Sequence, residues 1–126
     1  VQLGTLLQRQ HAEAALRQSN IILRSIIDSS PDFIYVKDLQ GRYVTLNQVT
    51  AEWFGKTIEE IVGKDDTQLF SSETAQEIVQ VDRTVMLTEE PSTLEEIIPG
   101  QGVLWTMLTT KSPWRDAQGN IIGVVC

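Results

Sequence analysis

A chain of 126 residues, 41% of them apolar, is long enough to bury one core without staples, and its net charge of −7 repels phosphate backbones and anionic lipid. Its one cysteine, Cys126, permits no internal disulfide, and with His11 as the one histidine there is no Cys/His spacing for zinc. No apolar run reaches the roughly 18 residues of a membrane span and no charged-then-apolar leader opens the chain, so the expectation is a cytoplasmic segment of a longer protein, with neither nucleic acid nor membrane insertion among its partnerships. The charge is uneven: residues 1–30 carry +1 from Arg9, Arg17 and Arg24 against Glu13 and Asp28, which leaves −8 for the rest.

From Leu3 to Ile27 there is no proline and only Gly4, while Leu7, Ala14 and Ile21 recur every seven residues with Leu16 and Leu23 beside them. This predicts an amphipathic helix over 1–28, packed on its own domain or paired with its copy in a dimer, and ended by Pro31. Residues 29–126 then form the globular part. Phe33 to Val36 is a continuous apolar run, which predicts a strand covered on both faces, and Arg42 to Leu46 is its hairpin partner. Their link, Asp38-Leu39-Gln40-Gly41-Arg42, has the composition of a second link, Asp116-Ala117-Gln118-Gly119-Asn120: Asp opens each turn and Gly supplies the positive φ that closes it.

Between the two hairpins the pattern turns helical. Asn47 caps a helix ending at Gly55, and Thr57 with Glu60 forms a capping box for a second, ending at Gly63. Asp66 caps one turn through Phe70, and a long helix runs from Ser72 to about Thr88 with Ala75, Ile78, Val79, Val85 and Met86 on its apolar stripe. Strands follow at Leu94 to Ile98, Val103 to Leu108 and Ile121 to Cys126. The fold class is α+β: a five-stranded antiparallel sheet with helices on one face, which leaves a cavity where helices meet sheet.

Ser29 to Asp38 with Gly41-Arg42-Tyr43 and Asn47, then Gly63-Lys64, Asp66, Leu69-Phe70, Asp82-Arg83, Val85 and Glu90-Pro91, then Lys111, Pro113, Arg115-Asp116, Gly119 and Ile122 to Val125, together resemble the PAS sensory domain across residues 26 to 126. The resemblance implies the PAS fold and a module that senses a ligand, light or redox state, or that dimerises, without catalysing anything. It implies a parent protein of bacterial signal transduction, a histidine kinase before a cyclic-di-nucleotide cyclase or phosphodiesterase, and a covalently linked output domain. It also implies a homodimer through the leading helix and outer sheet face. The Asp-Ile-Thr coupling segment that usually follows the last strand is not in the sequence.

Among PAS modules, flavin photochemistry needs a helical Cys and haem needs an axial His in the long helix. Cys126 lies at the end of the last strand and His11 in the leading helix, so no cofactor is expected and a small-molecule ligand remains possible. Candidate lining residues are Tyr35, Trp53, Phe54, Phe70, Val79, Met86, Trp105, Met107 and Thr109, each also readable as core. Alternation puts Trp105, Met107, Thr109 and Lys111 on one strand face and Leu104, Thr106, Leu108 and Thr110 on the other, without choosing which is inward. Asp82 falls inside the apolar stripe of the long helix. There it is a buried ion pair with Lys111, a solvated carboxylate at the stripe's edge, or a group that reads a ligand. No Ser/His/Asp or Cys/His set points to an enzyme, and the pairs Glu59-Glu60, Asp65-Asp66, Glu89-Glu90 and Glu95-Glu96 read as solvated charge.

Overall fold

The computed structural model describes residues 2–126, which fall into two compact units, one ending at residue 31 and the other spanning 32–126. The first is the helix α1, Gln2–Ser29, which ends one residue beyond the predicted 1–28 and stops ahead of Pro31. None of its residues is buried, and Leu6, Leu7, Leu16, Ile21, Leu23 and Ile26 all stand exposed.

The second unit runs β1 Tyr35–Asp38, β2 Tyr43–Leu46, α2 Gln48–Phe54, α3 Ile58–Ile61, α4 Asp66–Leu69, α5 Ser72–Thr88, β3 Ser92–Gly100, β4 Val103–Arg115 and β5 Ile121–Val125. The strands form one antiparallel sheet in the order β2-β1-β5-β4-β3. The twin turns are built alike. Asp38 Oδ1 accepts from the Gln40 and Arg42 amides at 2.9 and 3.0 Å, and Asp116 Oδ1 accepts from those of Gln118 and Asn120 at 2.9 Å each. Gly41 at φ 77° and Gly119 at φ 86° take the left-handed position that closes each turn.

The caps of α2 and α3 sit at Asn47 and Thr57, as the sequence predicts. That of α4 does not: Asp65 is the N-cap, accepting from the Thr67 amide, while the Gln68 side chain accepts from the Asp65 amide in a capping box. Asp66 is thereby turned inward and buried. Helix α3 stops at Ile61, two residues short of Gly63. Gly63 instead donates its amide to the Tyr43 carbonyl at 2.8 Å, and the Tyr43 amide donates to the Lys64 carbonyl.

Strand β1 starts two residues late because Ile34 is already engaged. Its amide donates to Asn47 Oδ1 at 3.1 Å and its carbonyl accepts from the Asn47 amide at 2.9 Å. Strand β4 is far longer than the apolar run Val103 to Leu108, because it changes partner midway: residues 103–111 pair with β3 and 112–115 with β5. The expected cover on both sheet faces is not found. Val36 is half-buried, and Ile97, Leu104 and Leu108 on the outer face are 64%, 73% and 75% exposed.

The core sits between sheet and helices. Tyr43, Leu46, Ala51 and Ile61 are buried together, with Tyr35, Phe54, Ile58 and Leu69 against them. Helix α5 adds Ala75, Ile78 and Val85 at helical spacing, and Asp82 is buried in the same stripe. Burying such a stripe stabilises by roughly 1.5–3 kcal/mol for each fully covered aliphatic side chain, so a lone charge in it has to be matched by a partner.

A small aromatic cavity above a buried charge cluster

Helix α2 places Trp53 and Phe54 side by side at its end, and Gly55, left-handed at φ 68°, stops the helix there. The two rings meet edge to face at 5.0 Å, and Phe70, just after α4, closes on Phe54 at 5.4 Å. With Phe33, Tyr35 and Tyr43 these rings wall a cavity of about 40 Å³, whose far side is Ile78 of α5, Ile98 of β3 and Met107 of β4. That volume holds roughly two or three waters. Gly100 lets the β3–β4 hairpin close on α2: a Cβ there would stand 2.2 Å from Trp53 Cζ2. Trp105 seals the hairpin by donating its indole N–H to the Gly100 carbonyl at 2.8 Å, whereas the indole N–H of Trp53 is buried and finds no acceptor among the described residues.

The polar lining is Thr50, Lys37 and Glu96. Lys37 is buried, and its Nζ reaches Asp66 Oδ2 at 2.6 Å and Asp82 Oδ2 at 2.9 Å. Asp82 Oδ1 takes a second ammonium, that of Lys111, at 2.8 Å, and Lys111 lies 3.4 Å from Glu96. Tyr43 adds its hydroxyl, which donates to Asp66 Oδ1 at 2.8 Å. Three carboxylates therefore surround two ammonium groups, each aspartate oxygen is engaged, and the chain of contacts ties β1, α4, α5, β3 and β4 together.

Burial alone would lower the Lys37 pKa, but Asp82 and Asp66 outweigh it and the net shift is upward, so Lys37 stays charged. The phenols of Tyr35 and Tyr43 are pushed well above their ordinary value by burial first, and then by Cys126 for Tyr35 and by the Asp66 carboxylate for Tyr43. The Cys126 thiol is pushed up to about 12, chiefly by burial. The Cys126 backbone closes a reciprocal pair with that of Tyr35, at 2.8 and 3.0 Å.

Of the residues the sequence proposes for a site, Tyr35, Trp53, Phe54, Phe70 and Met107 line the cavity. Val79, Met86, Trp105 and Thr109 do not: Val79 and Met86 are half-buried on the flanks of the α5 stripe, Trp105 packs on Trp53 at 6.4 Å, and Thr109 lies along β4 beyond Met107. Asp82 lies in the charge cluster, paired with Lys111 as in the first of its three readings, and is not itself in the cavity wall. The inward face of β4 is the one bearing Met107 and Lys111. Phe33, Lys37, Tyr43, Asp66 and Glu96 were missed. Lys37 was within reach, since alternation from Tyr35 puts it on the same face. Asp66 and Glu96 correct the reading of two of the acidic pairs as solvated, since each turns inward beside a more exposed neighbour, while Glu59-Glu60 and Glu89-Glu90 are exposed as read.

A helix-backed antiparallel sheet thus keeps a small aromatic hollow at its centre, over a charged floor. The family described as the PAS fold matches residues 27–126, and the chain belongs to it. The methanogenesis regulatory histidine kinase FilI of Methanothrix harundinacea is 34% identical over 110 residues, which are 86% of this chain and 12% of FilI. The virulence sensor protein BvgS of Bordetella pertussis is 39% identical over 57 residues, 45% of this chain and 5% of BvgS. The chain thus spans about a tenth or less of the length of these curated relatives. Among solved structures, VqmA bound to DPO superposes with a TM-score of 0.75 at 30% identity, covering 83% of this chain and 55% of that one. These relatives make the chain a PAS domain homologous to sensor modules of histidine kinases. No helix among the described residues is long and apolar enough to cross a membrane.

Proposed function

We propose that this chain is the cytoplasmic input module of a sensor histidine kinase, and that it reads a small, planar, largely apolar molecule in the cavity walled by Trp53, Phe54 and Phe70. The observation that carries the reading is the cavity itself: aromatic walls for a ring's faces, and three polar groups for its edge. The buried indole N–H of Trp53 suits an acceptor on the ligand, and Glu96, whose one close ammonium is 3.4 Å away, suits a donor. Kinship supports the class of parent protein, and the DPO-bound relative supports ligand binding as such. No metal or prosthetic group enters the reading.

At about 40 Å³ the cavity is smaller than a single ring requires, so entry has to push an aromatic wall aside. A ligand that does so contacts the closed and opened forms differently, and that difference is what lets it shift their populations. The shift is read by a homodimer formed through α1 and the outer sheet face, and passes to a linked output domain. The apolar residues that α1 and the outer face leave exposed support this arrangement.

Native mass spectrometry of the freshly purified chain tests both parts. The expected result is a dimer carrying a discrete extra mass, lost in the Trp53→Phe and Phe70→Ala variants. Bare dimers, together with no thermal shift across a panel of single-ring heterocycles, would instead make this a structural relay module, the reading that the small cavity volume favours next. An unchanged oligomeric state after removal of residues 1–25 would remove α1 from the dimer.

A further inference from the structure

We infer that the edge of the sheet at β3 is a docking site for an extended, basic peptide segment of another protein, which adds as a sixth strand. Helix α5 makes its main contacts with β4 and β5 and leaves a cleft between itself and β3. Two hollows open in the resulting cleft, of about 490 and 290 Å³, and they share Val81 of α5 and Leu94 of β3 as a common apolar floor. Both are several times larger than the central cavity. Strand β3 is nine residues long, pairs with β4 on one side, and has no strand on the other among the described residues. A row of backbone donors and acceptors is therefore presented beside an apolar trough, the geometry in which main-chain bonds supply affinity and alternate side chains supply selectivity.

The charge of the rim chooses the occupant. Glu77 and Glu90 line the helix side of the cleft and Glu95 the outer side of the strand; all three are exposed, and no Lys or Arg lines either hollow. A second copy of β3 would set its own Glu95 and Glu96 against these, which costs free energy on a sheet. A strand with alternating apolar and Lys or Arg side chains meets the trough with one set and Glu95 on the outer face with the other, while Glu77 and Glu90 keep the cleft's potential negative. The smaller hollow shares Ile78, Glu96 and Ile98 with the wall of the central cavity, so the two adjoin, whereas Glu77, Glu90 and Glu95 belong to the cleft alone.

The test is selection of a random ten-residue peptide library displayed against the full chain, followed by hydrogen exchange of the chain with the best peptide. The expected winners carry net positive charge on alternate positions, protect amides within residues 92–100, and bind more weakly as salt rises. The triple variant Glu77→Gln/Glu90→Gln/Glu95→Gln, all surface positions, retains the Tm of the parent chain and binds the peptide roughly tenfold less tightly. A scrambled peptide of the same composition loses most of the affinity. The inference is overturned by failure to enrich any peptide, by winners that are neutral or acidic, by equal binding of the scrambled peptide, or by protection that falls outside β3. Protection of β3 that rises with chain concentration alone would also overturn it, in favour of a second copy.

Discussion

Replacing Asp82 with Asn removes the charge that two ammonium groups share while keeping the side chain's shape. Lys111 is then left with Glu96 at 3.4 Å, and Lys37 keeps Asp66 at 2.6 Å. Breaking a buried pair from one side typically costs about 3–5 kcal/mol, so Asp82→Asn is expected to fall in that range and to take up much of the stability of an ordinary domain. Lys111→Met is milder, about 2–3 kcal/mol, because Asp82 retains Lys37 at 2.9 Å and the Met chain refills the lysine's stem. The double variant no longer holds an unmatched ammonium at β4, and its loss should fall short of the sum of the single losses by at least about 1.5 kcal/mol. Urea unfolding followed by tryptophan emission supplies all four stabilities. Losses that add to within about 0.5 kcal/mol would mean that the 2.8 Å contact carries no coupling, and the reasoning would fail.

Asn47→Ala should cost about 2–3 kcal/mol in the same assay, more than an exposed cap, because Asn47 is buried and also accepts from the Ile34 amide and donates to the Asp32 carbonyl; a loss below 1 kcal/mol, about that of an ordinary cap, would show these outer contacts to be idle. Gly100→Ala forces Trp53 out of its place and should shift the emission of the folded protein with a loss of about 1–3 kcal/mol, whereas an unchanged spectrum would contradict the close approach at 2.2 Å. Stability should also fall on the alkaline side. The Cys126 thiol ionises near 9.0 when unfolded and near about 12 when folded, so its contribution is complete below pH 9.0 and lost as pH rises through about 12. Tyr35, Tyr43 and Lys37, all raised, act with the same sign at and above their ordinary values. The Tm should therefore decline from pH 9 upward, with the earliest part of the decline absent in Cys126→Ser; a flat profile to pH 11 would count against this burial.

Features set by neighbours in the chain were legible before any coordinates. The twin Asp-to-Gly turns, the caps at Asn47 and Thr57 and the Ser72–Thr88 helix all depend on interactions within a few residues, and they stand where the pattern puts them. Asp82 was legible for a related reason, since a charge inside a helical apolar stripe is a local contradiction that demands a partner. Lys37, Asp66 and Glu96 carry no such contradiction. Lys37 sits in a short strand next to a turn, and Asp66 and Glu96 each have an acidic neighbour that reaches solvent, so nothing local separates the buried member of the pair from the exposed one. The end of β4 was hidden for a different reason: Ser112 to Arg115 contains a proline and two polar residues, and only the change of partner from β3 to β5 makes it a strand. Val79 and Met86 show the limit of the period itself, which marks a stripe about 100° wide without telling its centre from its flanks.

The ion chain from Lys37 through Asp82 to Lys111 has a mechanical side. It fastens the middle of α5 to two strands with directional, charge-assisted bonds, none of which can be remade one residue along. Rings packed on rings behave otherwise, since Trp53, Phe54 and Phe70 can tilt or slide and still find aromatic surface to rest on. The domain is thus stiff along one wall of its hollow and compliant along the opposite one. A disturbance arising between them is deflected toward the end of α2 and Phe70, with α5 and the sheet serving as the anvil.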